Sequence, residues 1–276
     1  MALSKMLLPV AVEPRDARVL AYACGLLEQG VHQLLVAHVV DSSGQEAPVI
    51  MAEVERARDR LRLMVEPYLG CGMDIEVRVA TGSVYREIMA LANQVNVDVI
   101  LCGTEGKSFV DYLFSGSVSE DIALRGDQRT MTVRYDLLGS EEHAGSLGRS
   151  FAQRLVIPTD FSSSSLRAVL SAFERPSQAL GTLHVLHVLA EGESPGDAEA
   201  QMRALRALAD EHDADCVTEI REAGSVDVAV LDYLTDIDAT GVITGRRGQT
   251  QLERGLLGSV SMKLLQEAPC PVVIQP

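Results

Sequence analysis

Short blocks of consecutive apolar residues alternate along the chain with stretches in which apolar positions recur every three or four residues. KMLLPVAV (5–12), LLVAHV (34–39), Ile75–Ala80, VDVILCG (97–103) and TMTVRYDL (130–137) have the length and β-branched content of strands. Between them lie helical patterns. In RDARVLAYACGLLEQG, Val19, Ala23 and Leu26 share a face and Gly30 closes the segment. EVERARDRLRLMVEPYL and Val84–Gln94 follow. The same alternation restarts near residue 154, with strands expected at 154–159, 183–189, 215–221, 239–244 and 271–276. Strand runs that are apolar on both sides, separated by helices, predict a parallel, doubly wound sheet covered on both faces. The last strand of the first half alternates, which places Met131, Val133 and Tyr135 on one face.

The chain repeats itself. Pro9 and Pro158, and His38 and His187, stand 149 residues apart at the ends of matching strands. Two glycine patterns stand 142 apart: CGTEGKSFVDYLFSGSV, with Gly103, Gly106, Gly116 and Ser117, and TGRRGQTQLERGLLGSV, with Gly245, Gly248, Gly258 and Ser259. The second half therefore lacks seven residues between the histidine and the first glycine, and the long segment after the second strand is where they are expected to be missing. GSEEHAGSLGRS (139–150) is rich in Gly and Ser with no core residues, and reads as a linker. The expected organisation is a domain over 1–138, a linker over 139–150 and a domain over 151–276.

At 276 residues and 47% hydrophobic content, each half can bury its own core. No apolar run reaches membrane-span length, and MALSKMLLPVAV lacks a signal-peptide cleavage pattern, so a cytoplasmic location is expected. Net charge of −15 without any basic run argues against nucleic acid or anionic lipid as a partner. Five cysteines, Cys24, Cys71, Cys102, Cys216 and Cys270, are scattered singly and read as free thiols rather than a metal or redox site.

The glycine pattern carries the candidate chemistry. In open α/β sheets ligands bind at the carboxyl ends of strands. Glycines there admit a close approach of backbone to ligand and positive φ. Ser259 stands at the expected N-cap of a helix, whose free N–H groups and dipole attract anions, and Arg246 or Arg247 can add a bidentate contact. A plain turn and cap account for the same residues. GTEGKS (103–108) is not a P-loop, because the leading glycine would fall at Leu101, and no GxGxxG occurs at either site.

The spacing Gly-x2-Gly-x9-Gly-Ser, followed by a helix and APCPVVI (268–274), together with PTDFS (158–162) and LHV (186–188), resembles the universal stress protein family, in two tandem copies over nearly the whole chain. The resemblance implies two five-stranded, Rossmann-like domains, akin to the adenine nucleotide alpha hydrolases, and binding of ATP, with Mg²⁺ at its phosphate tail. It implies that Pro158, Thr159 and Asp160 line the adenosine, that Val188 contacts adenine, and that Gly245, Arg247 and Gly248 border ribose and phosphates. Gly258, Ser259, Val260 and Ser261 would hold the phosphate tail. In the first half Gly103, Gly106, Gly116, Ser117 and Ser119 remain, but Ala11 stands where Asp160 does and Glu105 where Arg247 does. A carboxylate about 4 Å from a phosphate costs on the order of 4 kcal/mol before screening, which Lys107 would partly offset. The first site is thus expected to be degenerate. Domains of the family pair through their last strands, which implies an internal pseudo-dimer and leaves a further homodimer open.

The function expected is a nucleotide-dependent stress-response module acting on an unidentified protein partner. The alternatives are a slow ATPase or adenylating enzyme, or a ligand-free adaptor. No general base, cysteine nucleophile or paired carboxylate supports turnover beyond weak hydrolysis. His184 and His187, three apart on a strand, face opposite sides and are not expected to share a metal. Asp98, Asp236 and Asp238 read as solvated turns, and the apolar Val49, Ile50 and Met51 as helix packing.

Overall fold

The computed structural model describes residues 3–105, 118–173, 180–189, 194–248 and 257–276. The chain divides into two compact units, one of Leu3–Glu105 with the segment up to Arg149, the other of Ser150–Pro276.

The first unit runs β1 (Lys5–Pro9), α1 (Asp16–Gly25), β2 (Gln33–Val40), α2 (Ala47–Val65), β3 (Asp74–Thr81), α3 (Val84–Gln94), β4 (Val99–Thr104), α4 (Val118–Arg125), β5 (Thr130–Arg134), α5 (Tyr135–Leu138) and α6 (Glu141–Ser150). Its strands lie in the order β3-β2-β1-β4-β5, every described pair parallel. The second unit runs β6 (Arg154–Pro158), α7 (Ser163–Phe173), β7 (Thr182–Leu189), α8 (Pro195–Glu211), β8 (Cys216–Glu222), α9 (Val226–Asp236), β9 (Gly241–Gly245), α10 (Ser259–Glu267) and β10 (Val272–Gln275). Its order is β8-β7-β6-β9-β10, again parallel. Both units are the doubly wound α/β domains that the alternating pattern predicts.

Central strands are buried on both faces, and the outer strands β3 and β8 carry charge. Leu7, Leu35, Ala37, Ile100 and Cys102 pack against Ile88 and Ala92 of α3 and Ile122 of α4. On β3, Arg78 pairs with its neighbour-but-one Glu76 at 2.6 Å on the solvent side. The seven missing residues fall where expected. The offset is 149 at the ends of β2 and β7, and 142 at the starts of β3 and β8.

Three expectations are corrected. Residues 141–150 are a helix, not a coreless linker. Ser140 accepts the N–H of His143 at 3.2 Å as an N-cap, two glutamates occupy the first turn, and Arg149 lies in the last. Ala144 is fully buried. Its glycines serve packing, because a Cβ on Gly148 would lie 2.2 Å from the Tyr22 carbonyl oxygen, and one on Gly25 2.2 Å from that of Gly145. Next, β5 ends at Arg134 and Tyr135 opens a helical turn, so Tyr135 leaves the face that it was expected to share with Met131 and Val133. Finally, Val49 and Met51 on α2 stay largely exposed rather than packing. No described helix is long and apolar enough to cross a membrane.

The strand order fixes where a ligand can sit. β6 and β9 pair only over Leu155↔Gly241 and Val156↔Val242, because the chain leaves them toward opposite edges of the sheet. A crevice therefore opens beyond their carboxyl ends. β1 and β4 form the same junction over Met6↔Val99 and Leu7↔Ile100.

Candidate functional site

At the end of β6, Pro158 has no N–H to give, and the chain turns through Thr159, Asp160 and Phe161. The Thr159 N–H donates to the Leu186 carbonyl at 2.8 Å, and the His187 ring donates through Nδ1 to the Thr159 carbonyl at 2.7 Å. Phe161 adopts φ 58° and lays its ring 4.5 Å from that of His187. Asp160 Oδ1 accepts the Ser162 N–H at 3.0 Å and the Ser165 hydroxyl at 2.9 Å. With its proton so placed, Ser165 accepts from the Thr159 hydroxyl at 3.0 Å. The Asp160 carboxylate is thereby fixed at the mouth of the crevice.

The other wall is β9 and α10. The Ser261 hydroxyl donates to the Gly245 carbonyl at 2.7 Å and lies 3.1 Å from the Thr244 hydroxyl. The Gly258 N–H donates to the Arg246 carbonyl at 3.0 Å, and the Arg246 N–H to the Gln275 carbonyl at 2.8 Å. These bonds hold the amino end of α10 against the end of β9. Gly258 caps that helix without a side chain, and the first helical rung is Met262 N–H to Gly258 O. The N–H groups of Ser259, Val260 and Ser261 therefore have no acceptor within the helix.

Between these walls lies a cavity of about 310 Å³. Pro158, Thr159, Asp160, Val188, Gly245, Arg247, Gly248, Gly258, Ser259, Val260 and Ser261 all line it. Every second-half residue that the resemblance implicates thus comes to one place, whereas Arg246, the alternative to Arg247, is buried outside the cavity lining. Sequence reasoning missed Ser165, Leu186, Val226, Val230 and Thr244, and weighed His187 as a metal ligand. The valines are readable only as one face of α9, four residues apart. Ser165 is reached only through its bond to Asp160. Arg247 Nε and Ser164 Oγ are buried with no hydrogen-bond partner among the described residues.

The glycines do not act through positive φ. None of Gly245, Gly248 and Gly258 has it, and Gly258 is extended at φ −63°, ψ 154°. They act by proximity. A Cβ on Gly245 would meet Ser164 Oγ at 2.5 Å, and one on Gly248 would meet Asp160 Oδ2 at 2.6 Å.

The first half builds the same junction with other side chains around it. A Cβ on Gly103 would lie 2.6 Å from the ring of Tyr135. The Arg15 guanidinium sits 4.8 Å above that ring and pairs with Glu105 and Glu13. Glu105 is thus neutralised by an arginine of its own unit. Burial pushes the Tyr135 hydroxyl up to about 12, with the Asp16 carboxylate adding to it. Cys102 and Ser119 take the places of Thr244 and Ser261 and remain hydrogen-bonded to each other. Gly106, Lys107, Gly116 and Ser117 lie outside the described residues.

The remaining candidates have local partners. His184 bonds the Tyr233 hydroxyl at 2.9 Å, and burial lowers its pKa. Asp98 accepts the N–H groups of Ser4 and Lys5, each at 2.9 Å, and Asp236 pairs with Arg221. No cluster of metal-binding side chains occurs among the described residues.

The model of the Universal stress protein family matches residues 3–134 and again 152–276. The chain belongs to the universal stress protein family. A universal stress protein of Methanocaldococcus jannaschii is 25% identical over 143 residues, which cover 46% of this chain and 84% of that protein. A crystal structure of a universal stress protein from Archaeoglobus fulgidus has the same fold over 98% of this chain and 95% of its own, at 24% identity and a TM-score of 0.80. A putative universal stress protein from Pseudomonas aeruginosa matches over 99% of this chain and 93% of its own, at 14% identity and a TM-score of 0.60. Family membership thus extends over both halves.

Proposed function

We propose that the second half of this universal stress protein binds ATP, and that the chain acts as a nucleotide-dependent regulatory module rather than by turnover. One observation carries the proposal: a single cavity combines an apolar pocket, a fixed carboxylate, a half-buried arginine and a helix amino end. Adenine would lie against Leu186, Val188 and Val226, and Asp160 would accept from the ribose hydroxyls. The phosphates would meet the free N–H groups at 259–261 and the Arg247 guanidinium, which satisfies the unpaired Nε. Their charge, and that of an accompanying Mg²⁺, would be held locally against the overall acidity of the chain. In the first half the Arg15–Glu105 pair and Tyr135, which lies against Gly103, would stand in the way of a nucleotide, and one nucleotide per chain is expected.

Isothermal titration of ATP–Mg²⁺ into the intact protein and into Gly245→Val tests this. One site per chain is expected, weakened at least ~100-fold by a branched side chain forced toward Ser164. Absence of binding by the intact protein would remove the nucleotide reading and leave the glycine loops as turns.

A further inference from the structure

Two cysteines far apart in the sequence meet in the first unit. Cys24 lies on α1, half-buried. After α2 the chain makes a short 3₁₀ turn (Glu66–Tyr68) and a tight reversal, Leu69-Gly70-Cys71-Gly72, that crosses the same face of α1. The crossing is fixed on both sides of Cys24. The Tyr68 hydroxyl donates to the Ala17 carbonyl at 3.2 Å, and a Cβ on Gly72 would lie 2.9 Å from Leu27 Cδ2. Cys71 falls between these anchors, which brings its thiol close to that of Cys24.

The reversal suits a reactive thiol. Gly70 and Gly72 have φ 108° and 98°, so Cys71 is flanked by residues without side chains. Cys71 is exposed, while burial pushes the Cys24 thiol up. The exposed member is therefore the one that an outside reagent meets, and the half-buried member is placed to resolve the adduct.

We infer that Cys24 and Cys71 form a reversible disulfide, with a low-molecular-weight disulfide such as oxidised glutathione as the oxidant. The Cys71 thiolate attacks one sulfur of the small disulfide. A new S–S bond forms to Cys71, the old one breaks, and the first thiolate departs. The Cys24 sulfur then attacks the Cys71 sulfur and expels the second small thiolate, which takes up the Cys24 proton. The protein dithiol loses two electrons and two protons, and one small disulfide becomes two small thiols. The product ties α1 to the turn before β3 and closes a long loop, which restricts the unfolded chain.

The full-length protein is incubated with oxidised glutathione, then alkylated under denaturing conditions and mapped by mass spectrometry. The expected result is a linked Cys24–Cys71 peptide pair, a fall in free thiols from five to three, and a Tm raised on the order of 5 °C and returned by dithiothreitol. Cys24→Ser should trap a lasting glutathione adduct on Cys71, and Cys71→Ser should leave Cys24 unmodified. A lasting adduct on Cys71 of the unaltered protein, with Cys24 still free, would overturn the inference. So would a Cys71–Cys71 link between chains.

Discussion

The two halves are built alike and equipped differently. Left-handed residues recur at matching positions, Val12 with Phe161 (φ 64° and 58°) and Asn96 with Asp238 (φ 50° and 48°). The ring-to-carbonyl bond of His187 is repeated by His38, which donates to the Val10 carbonyl at 2.8 Å. These devices belong to the turns between strands and helices, at matching places in both halves. The side chains that would meet a ligand are replaced: Arg15 for Ser164, Ala11 for Asp160, Glu105 for Arg247. A binding site in this fold is therefore a few side chains laid on a backbone that persists without them. The first half shows what happens when they change: an ion pair and a ring gather beside Gly103 instead.

That contrast can be broken in order of effect. Gly148→Val would drive a branched side chain into the Tyr22 carbonyl, 2.2 Å from the Cβ position. It should destabilise the first unit by about 3 kcal/mol or more, seen in urea unfolding, while nucleotide titration of the second half is unchanged. Opening the first site by Arg15→Ser, Glu105→Arg and Tyr135→Ala together should add a second, weaker ATP site; a stoichiometry still at one would show that these three residues are not what closes it. Asp160→Ala removes the acceptor of Ser162 and Ser165 and should weaken ATP roughly 10-fold. The smallest effect is on pH dependence. The Tyr135 hydroxyl in the folded chain titrates near 12 rather than near 10. The folded state then holds its proton longer than the unfolded one, so this contribution is complete below pH 10 and declines as pH rises toward 12. Tyr135→Phe should flatten the decline in a comparison of urea midpoints across that window.

The strands and most helices were legible because central strands buried on both faces leave unbroken apolar runs, and because the duplication checks each half against the other. The second-half cavity was legible because its backbone contributions carry glycines, a proline and a serine at fixed spacing. What escaped is what depends on distant packing. Val226 and Val230 look like any helix face until α9 is laid over β7. The helix at 141–150 was hidden by its glycines, which suggest a linker and in fact let two helices touch backbone to backbone. The strand reading of Tyr135 failed because alternation continues past Arg134 while the chain coils over Gly103 instead. Arg15 carried no motif at all, and only the fold brings it to Glu105.

Val12 holds a conformation that suits glycine or asparagine far better than a β-branched residue. Its counterpart Phe161 at least lies against the His187 ring beside the cavity, whereas Val12 stands in the half whose site residues are replaced. Strain of this kind amounts to about 1–3 kcal/mol. For anyone seeking a hardier form of the protein, Val12→Gly is the first substitution to make, since it relaxes an inherited bend without touching the half proposed to bind ATP.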